Sequence, residues 1–291
     1  MVQEKLKKPS WLKVAYNKDI VDEVSGLMSE LSLNTVCKEA NCPNLGECFK
    51  KHTATFMILG NQCTRNCRFC NVIHGAPQEV DKDEPLHVAE AIKTMGLKHV
   101  VVTSVTRDDL ADGGAFHFVN TINAIRTLCP ETTIEVLIPD LKGDRASLDL
   151  VIEANPDVLN HNIETVKSLY PSVRPQAIYE RSLEVLSYVK SKAPDMLTKT
   201  GMMVGLGEKE EEVLQAMEDI LETGCDMLTI GQYLQPSLQH VDLVEYIPLE
   251  IFEKYRLEGV KKGFKFIASN PLVRSSYNAA EAITHIKTGE V

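Results

Sequence analysis

No apolar run in this chain approaches the roughly 20 residues of a membrane-spanning helix, which argues against a helical anchor. Positive charge is also scarce. Lys plus Arg is 31 against 41 Asp plus Glu, a net charge of −10. Such an acidic balance makes the protein a poor candidate for non-specific binding to nucleic acid or to an anionic membrane. Met1 to Ser10 is Lys-rich but has no apolar core of a secretory signal. It is also too short and too rich in Pro and Glu for a transit peptide. The expected location is the cytoplasm, or the chain is a mature form. Linkers, low-complexity runs and internal repeats are missing too, so the simplest parse is one main domain with N- and C-terminal extensions. The remainder, 291 residues that are 44% hydrophobic and 25% charged, is ordinary and large enough to bury a substantial core.

Cysteine is the residue type whose distribution is unusual. Of eight cysteines, all but Cys129 and Cys225 lie between Cys37 and Cys70. In a cytosolic chain of this size, such clustering points to metal and not to disulfides. Cys63, Cys67 and Cys70 stand at C-x3-C-x2-C spacing directly after the apolar run Ala54 to Gly60. Three thiolates from one short loop can hold three irons of a cubane 4Fe–4S cluster, leaving one iron open to a small molecule. The alternative is a structural zinc loop, but zinc normally takes four closed ligands and no second cysteine pair follows Cys70. Upstream, Cys37, Cys42 and Cys48 form a second set, C-x4-C-x5-C, in a segment whose Asn, Pro and Gly mark it as loop-rich. Buried free cysteines scatter; they do not group in threes.

After Cys70 the chain alternates between strand-like and helix-like segments. Ala54–Gly60, Val100–Val105, Thr133–Ile138, Val158–Asn162, Lys199–Val204, Met227–Ile230 and Phe264–Ala268 read as strands. Phe116–Leu128, Ser147–Glu153, Arg181–Lys192, Glu210–Thr223 and Ile251–Lys262 read as helices, with Gly224 closing the fourth. Trp11 to Leu27 has the apolar spacing of a short amphipathic docking arm. The fold class is α/β. Its parallel sheet is either open and doubly wound or a full or partial barrel, and in each case ligands gather at the strands' C-terminal ends. Polar and glycine residues do collect there, in Thr106–Ala115, Asn162–Thr165, Gly205–Glu208 and Gln232–Pro236.

The C-x3-C-x2-C loop, with Phe69 just before its last cysteine, resembles the radical S-adenosylmethionine (SAM) superfamily. The second triplet narrows the resemblance to the lipoyl synthase family. Other matching stretches are Asn66–Cys70, Thr103–Ala115, Asn160–Val166, Lys199–Glu208 and Val273–Tyr277, so the likeness runs from Trp11 almost to the C-terminus. Asn278 stands where that family usually has a histidine.

The resemblance implies a partial (β/α)6 TIM-type barrel over residues 54–268. Residues 1–53 would form an N-terminal extension carrying one cysteine set, and 269–291 a C-terminal extension carrying a serine ligand. It implies two 4Fe–4S clusters and SAM. Cys63, Cys67 and Cys70 would hold the cluster whose free iron chelates SAM and whose electron releases a 5′-deoxyadenosyl radical. Cys37, Cys42, Cys48 and a serine, Ser276 in preference to Ser275, would hold an auxiliary cluster that gives up sulfur. An alkoxide is a harder ligand than thiolate and a poorer match for cluster iron, so that corner can open. Arg274 and Tyr277 would position the serine or the substrate. Phe69, Thr103, Asn162, Glu164 and Arg174 would contact SAM, and Gly205 and Gly207 would let backbone approach it. The implied partners are an octanoylated lipoyl carrier domain (a 2-oxoacid dehydrogenase acyltransferase subunit or a glycine-cleavage H protein), a reductant such as flavodoxin or ferredoxin, and an iron–sulfur carrier that refills the auxiliary cluster. A monomer is expected, because the carrier must dock at the open rim.

Several features invite other readings. Asp108, Asp109 and Asp112 form either an acid–base or magnesium cluster or a solvated, Gly-terminated loop. Gly205-Leu206-Gly207-Glu208 is not a dinucleotide fingerprint, because it lacks the third glycine and follows the fifth strand. His52, His74, His99 and His161 have no metal-like spacing and read as packing or surface residues. Two rival functions are a methylthiotransferase, which would carry a module for reading RNA or protein, and a non-catalytic iron–sulfur carrier, which would need no open iron.

Overall fold

The computed structural model describes residues 7–12, 22, 26, 28–40, 42, 44, 48, 55–276 and 279–288. Its main sheet has eight strands: β1 (Asn34–Thr35), β2 (Thr55–Ile58), β3 (His99–Ser104), β4 (Thr133–Leu137), β5 (Val158–Asn160), β6 (Leu197–Val204), β7 (Met227–Gln232) and β8 (Phe266–Ser269). They lie in chain order across the sheet, β2 to β8 parallel and β1 antiparallel at the edge beside β2. The longer helices between them are α1 (Glu84–Met95), α2 (Ala115–Leu128), α3 (Arg145–Glu153), α4 (Tyr179–Lys192), α5 (Glu210–Glu222) and α6 (Leu249–Lys262), and α7 (Ala279–Thr288) follows β8. This is the expected partial barrel, with one parallel strand beyond the six-fold unit. Helices α1 and α7 and strand β1 are elements the strand-and-helix reading did not name.

The packing follows from the strand composition. His99–Ser104 reads HVVVTS and is buried through five of its six residues, as a strand covered on both faces must be. One layer under the barrel mouth the lumen is polar. Lys199 on β6 places its ammonium 3.1 Å from both carboxylate oxygens of Glu135 on β4, and Asn160 on β5 donates to the same carboxylate at 2.9 Å. Both charged residues are about 1% exposed. Two positions further along each strand stand Leu137, Asn162 and Gly201, which line the cavity above. The period-two alternation of strands therefore puts a closed ionic floor directly under the site.

Of the amphipathic arm, Ser10–Leu12 forms a 3-10 turn; Leu12 is buried and Trp11 meets Tyr246 edge-on at 6.3 Å. The stretch from Lys13 to Val21, His52, Tyr277 and Asn278 lie outside the described residues. Among the described residues, no helix is long and apolar enough to cross a membrane.

Candidate functional site

β2 ends in two successive left-handed residues, Leu59 at φ 67° and Gly60 at φ 86°, which turn the chain abruptly across the barrel mouth. The loop that follows is closed at its base by a two-residue parallel pairing of Gln62–Cys63 with Ile73–His74. It is anchored to four strand-end loops. Thr64 bonds Thr106 after β3 through its amide at 3.0 Å and its hydroxyl at 2.9 Å. Arg65 pairs with Asp108 at 2.6 Å and with Asp140, after β4, at 2.7 Å. The amide of Arg68 donates to Val173 O, beyond β5, at 2.9 Å. The loop after β7 completes the set: His240 Nε2 lies 3.0 Å from Cys70 O, and the Val241 amide donates to Arg68 O at 2.9 Å.

The Arg65 clamp is electrostatically strong. Burial works against charge on Asp140, but the guanidinium outweighs it and holds that carboxyl at about 2. The three aspartates of the β3 loop are otherwise occupied. Asp108 serves Arg65, Asp109 serves Arg107, and Asp112 accepts the amides of Gly114 and Phe116. They form a structural turn, not an acid–base set.

The second cysteine set is held by different means. Cys37 sits on a short helix, Val36–Glu39, capped by Thr35, whose side chain accepts from the Lys38 amide. The Cys42 amide donates to Cys37 O at 3.1 Å. Asn71 Nδ2 reaches Glu39 O at 2.7 Å, tying the two cysteine segments together. Asn44 Nδ2 reaches Leu272 O at 2.6 Å, tying this segment to the chain beyond β8. As a result Cys37, Cys42, Cys48, Cys63, Cys67 and Cys70 line one cavity of about 570 Å³ with Arg274, Ser275 and Ser276. Phe69, Thr103, Asn162, Glu164 and Arg174 line it too.

The donors suit a polynuclear metal group. Burial is the main force pushing the Cys37 and Cys70 thiols up to about 12, with neighbouring cysteine charge adding to it. Burial likewise raises Cys67, and the charge of Cys63 adds to it. Thiolates so placed need positive charge brought in, and metal binding would release their protons. Cys63 Sγ already accepts the Thr106 amide at 3.3 Å and the Arg65 amide at 3.4 Å. Among the described residues, no three Cys, His, Asp or Glu side chains are gathered tightly enough to hold a single ion.

Beside the thiols is a polar wall with unspent capacity. Asn162 Nδ2 donates to Glu164 at 3.0 Å, and Glu164 holds a left-handed φ of 69°. Arg174 Nη1 donates to the carbonyls of Asn162 and Ile163, both at 3.0 Å. Asn162 Oδ1, Arg174 Nε and His161 Nε2 are buried without a partner. His161 donates from Nδ1 to Ile138 O at 2.9 Å, so its free Nε2 is an acceptor. Unpaired buried donors and acceptors of this kind suit a zwitterionic ligand with hydroxyls, as SAM is. Thr103 donates its hydroxyl to Leu137 O at 2.7 Å, which leaves its oxygen to act only as an acceptor. The Phe69 ring packs with Val173, Leu206 and Tyr233.

One expectation is corrected. Gly205 and Gly207 do not line the cavity. The amides of Gly205 and Leu206 turn to the Glu208 carboxylate at 2.6 and 2.9 Å, and a side chain at Gly205 would run into Gln232 and Glu245. The glycine makes room for a loop, not for a ligand. Arg65 and His240 escaped the sequence reading, and His161, read there as a packing or surface residue, brings an unpaired nitrogen to the site. Arg65 lay between ligand cysteines and so carried a signal; for the histidines, spacing holds none.

A family model described as the radical SAM superfamily matches residues 57–220. Lipoyl synthase of Alkaliphilus metalliredigens (strain QYMF) is 56% identical over 278 residues, covering 95% of this chain and 96% of the relative. Lipoyl synthase of Flavobacterium johnsoniae is 52% identical over 277 residues, covering 95% and 96%. Among solved structures, methylornithine synthase (PylB) superposes with a TM-score of 0.54 at 13% identity, covering 93% of this chain and 96% of that one. HydG, a maturase of the FeFe-hydrogenase, gives 0.52 at 15% identity, covering 96% and 70%. The last two are likenesses of fold alone.

Proposed function

The chain belongs to the lipoyl synthase family, sulfurtransferases of the radical SAM type, and from that premise we propose that it inserts sulfur at C6 and C8 of an octanoyl chain amide-linked to a lysine of a lipoyl carrier domain. One observation carries the proposal: both cysteine triplets and Arg274-Ser275-Ser276 border the same cavity, although they come from opposite ends of the sequence.

Cys63, Cys67 and Cys70 are read as ligands of one 4Fe–4S cluster, and Cys37, Cys42, Cys48 and Ser276 as ligands of a second. When bound, the first cluster with SAM supplies a hydrogen-abstracting 5′-deoxyadenosyl radical and the second supplies sulfur. The chain's own residues do the rest. Arg174 offers a free Nε for a carboxylate, and Asn162 with Glu164 offers acceptors for hydroxyl or ammonium groups. Met57, Val105, Leu137 and Met203 give the cavity apolar wall, suited to an alkyl chain. Arg65 and His240 fix the loop that bears the first set. Residues 1–53 and 269–291 act as extensions of the barrel that complete the second. The carrier is a 2-oxoacid dehydrogenase acyltransferase subunit or a glycine-cleavage H protein. Flavodoxin or ferredoxin is the reductant, an iron–sulfur carrier refills the spent cluster, and the protein works as a cytoplasmic monomer.

The test is anaerobic. Reduced, reconstituted protein is expected to cleave SAM to 5′-deoxyadenosine and to convert an octanoyl-lysine peptide to its lipoyl form. Cys42→Ala is expected to keep SAM cleavage and lose sulfur insertion. Loss of both activities together in Cys42→Ala overturns the two-cluster reading.

A further inference from the structure

Two buried strand positions carry glycine for no backbone reason. Gly201 on β6 and Gly231 on β7 are absent from the residues with left-handed φ, so their backbone conformation does not call for glycine. Central parallel strands favour β-branched residues, and glycine there weakens the strand. Both glycines face the cavity.

At Gly231 the segment beyond β8 takes the place of the side chain; at Gly201 the space is taken by Thr229 and Asn162, with Ser275 of that segment in van der Waals contact. A Cβ on Gly231 would overlap the carbonyl oxygen of Val273 and come within 3.1 Å of Arg274 Nη1. That same carbonyl accepts from Arg274 Nη1 at 2.6 Å, so displacing it also disturbs the guanidinium. A Cβ on Gly201 would lie 2.7 Å from Thr229 Oγ1, 3.0 Å from Asn162 Oδ1 and 3.4 Å from Ser275 Cβ. The segment cannot yield freely. The Asn270 amide donates to Ile230 O at 3.1 Å, the Gln232 amide donates to Pro271 O at 3.2 Å, and Leu272 O is held by Asn44. The obstacle at Gly231 is backbone, which no rotamer change removes.

We propose that Gly231, flanked by Gly201 in contact with Ser275, is a positioning residue: its missing side chain forms a seat in the barrel wall that sets where Arg274-Ser275-Ser276 meets Cys37, Cys42 and Cys48. The proposal rests on the reading above in which Ser276 ligates a cluster on that triplet. A methyl at Gly231 lifts the turn away and leaves the cluster with three protein ligands. An iron without a protein ligand is the one a mild oxidant removes first.

The test uses full-length protein carrying Cys63→Ala, Cys67→Ala and Cys70→Ala, so that only the second triplet can hold iron. After anaerobic reconstitution and mild ferricyanide treatment, iron per chain is counted and the EPR spectrum recorded. The parent of this series is expected to keep its full iron complement. Gly231→Ala is expected to lose one iron per cluster and show a three-iron signal, as Ser276→Ala does, with Gly201→Ala losing part. Gly259→Ala is the control for simple destabilisation: its methyl would strike Ile267 in the packing of α6 on β8, away from the cavity, and it is expected to keep all its iron. Full iron retention by Gly231→Ala, or by Gly201→Ala if the first variant does not fold, overturns the seat while leaving the ligand reading intact. If the parent sheds iron as readily as Ser276→Ala, serine ligation itself fails and the seat falls with it.

Discussion

The side-chain amide of Asn44 donates to the carbonyl oxygen of Leu272 at 2.6 Å across 228 positions of sequence, and it is the cross-tie that closes the second cysteine set against the Arg-Ser-Ser turn. Asn44 is buried and Leu272 half-buried, so Asn44→Ala strips the Leu272 carbonyl of its donor, at a cost of about 1–1.5 kcal/mol. The expected outcome is uneven. SAM cleavage per chain stays within about twofold of the parent, while lipoyl product falls by about tenfold, on the order of the lost bond energy. Comparing the two products in one reaction checks this, and an equal fall in both counts against the cross-tie.

His240 is expected to act on the first cluster alone. Its bond to Cys70 O is one hydrogen bond, worth about 1 kcal/mol. His240→Ala should therefore lower SAM cleavage by about fivefold and speed iron loss from the C-x3-C-x2-C loop. Iron on Cys37, Cys42 and Cys48 should be unaffected, as measured in the background without the other triplet.

The Lys199–Glu135 pair under the cavity is almost wholly buried, and breaking one side leaves an uncompensated charge. Lys199→Met is expected to cost about 3–5 kcal/mol, whereas Lys199→Met with Glu135→Leu should recover much of it. Urea unfolding of the cluster-free protein measures both. A double variant no better than the single one would show that the floor is held by something other than charge compensation.

Acid stability should carry the mark of two buried neutral histidines. Burial is the main reason that His99 and His161 are held down to about 4. A depressed folded value means that the stability they carry is complete above about pH 6.5 and is lost as pH falls through about 4, roughly 3 kcal/mol for each. The slope of unfolding free energy between pH 6.5 and 4 should therefore fall by about one proton's worth in His99→Asn. An unchanged slope would show that His99 takes up its proton while folded.

Much of the architecture was legible because its signals are local. The apolar run of His99–Ser104 and the αL glycine after α5 each depend on neighbours within a few residues. Helix α1 was missed although its Glu-Pro opening favours a helix start; what defines it is its packing on α2. The glycine pair in Gly205-Leu206-Gly207 misled for a different reason. A glycine records that space is needed, but not which group fills it, and here Gln232 and Glu245 do.

By itself the sequence determined the donor chemistry: thiols in two triplets, a serine-bearing turn, and a strand–helix alternation that gathers loops at one rim. Spacing within a short loop confines those thiols to one small volume whatever the rest of the chain does. Only the tertiary structure decided that Cys37, Cys42 and Cys48 line the same cavity as Arg274, Ser275 and Ser276, that Arg65 is gripped by Asp108 and Asp140, and that Gly231 leaves room for the turn. These are relations between groups brought close through space by packing of the barrel, and no periodicity or spacing along the chain encodes them.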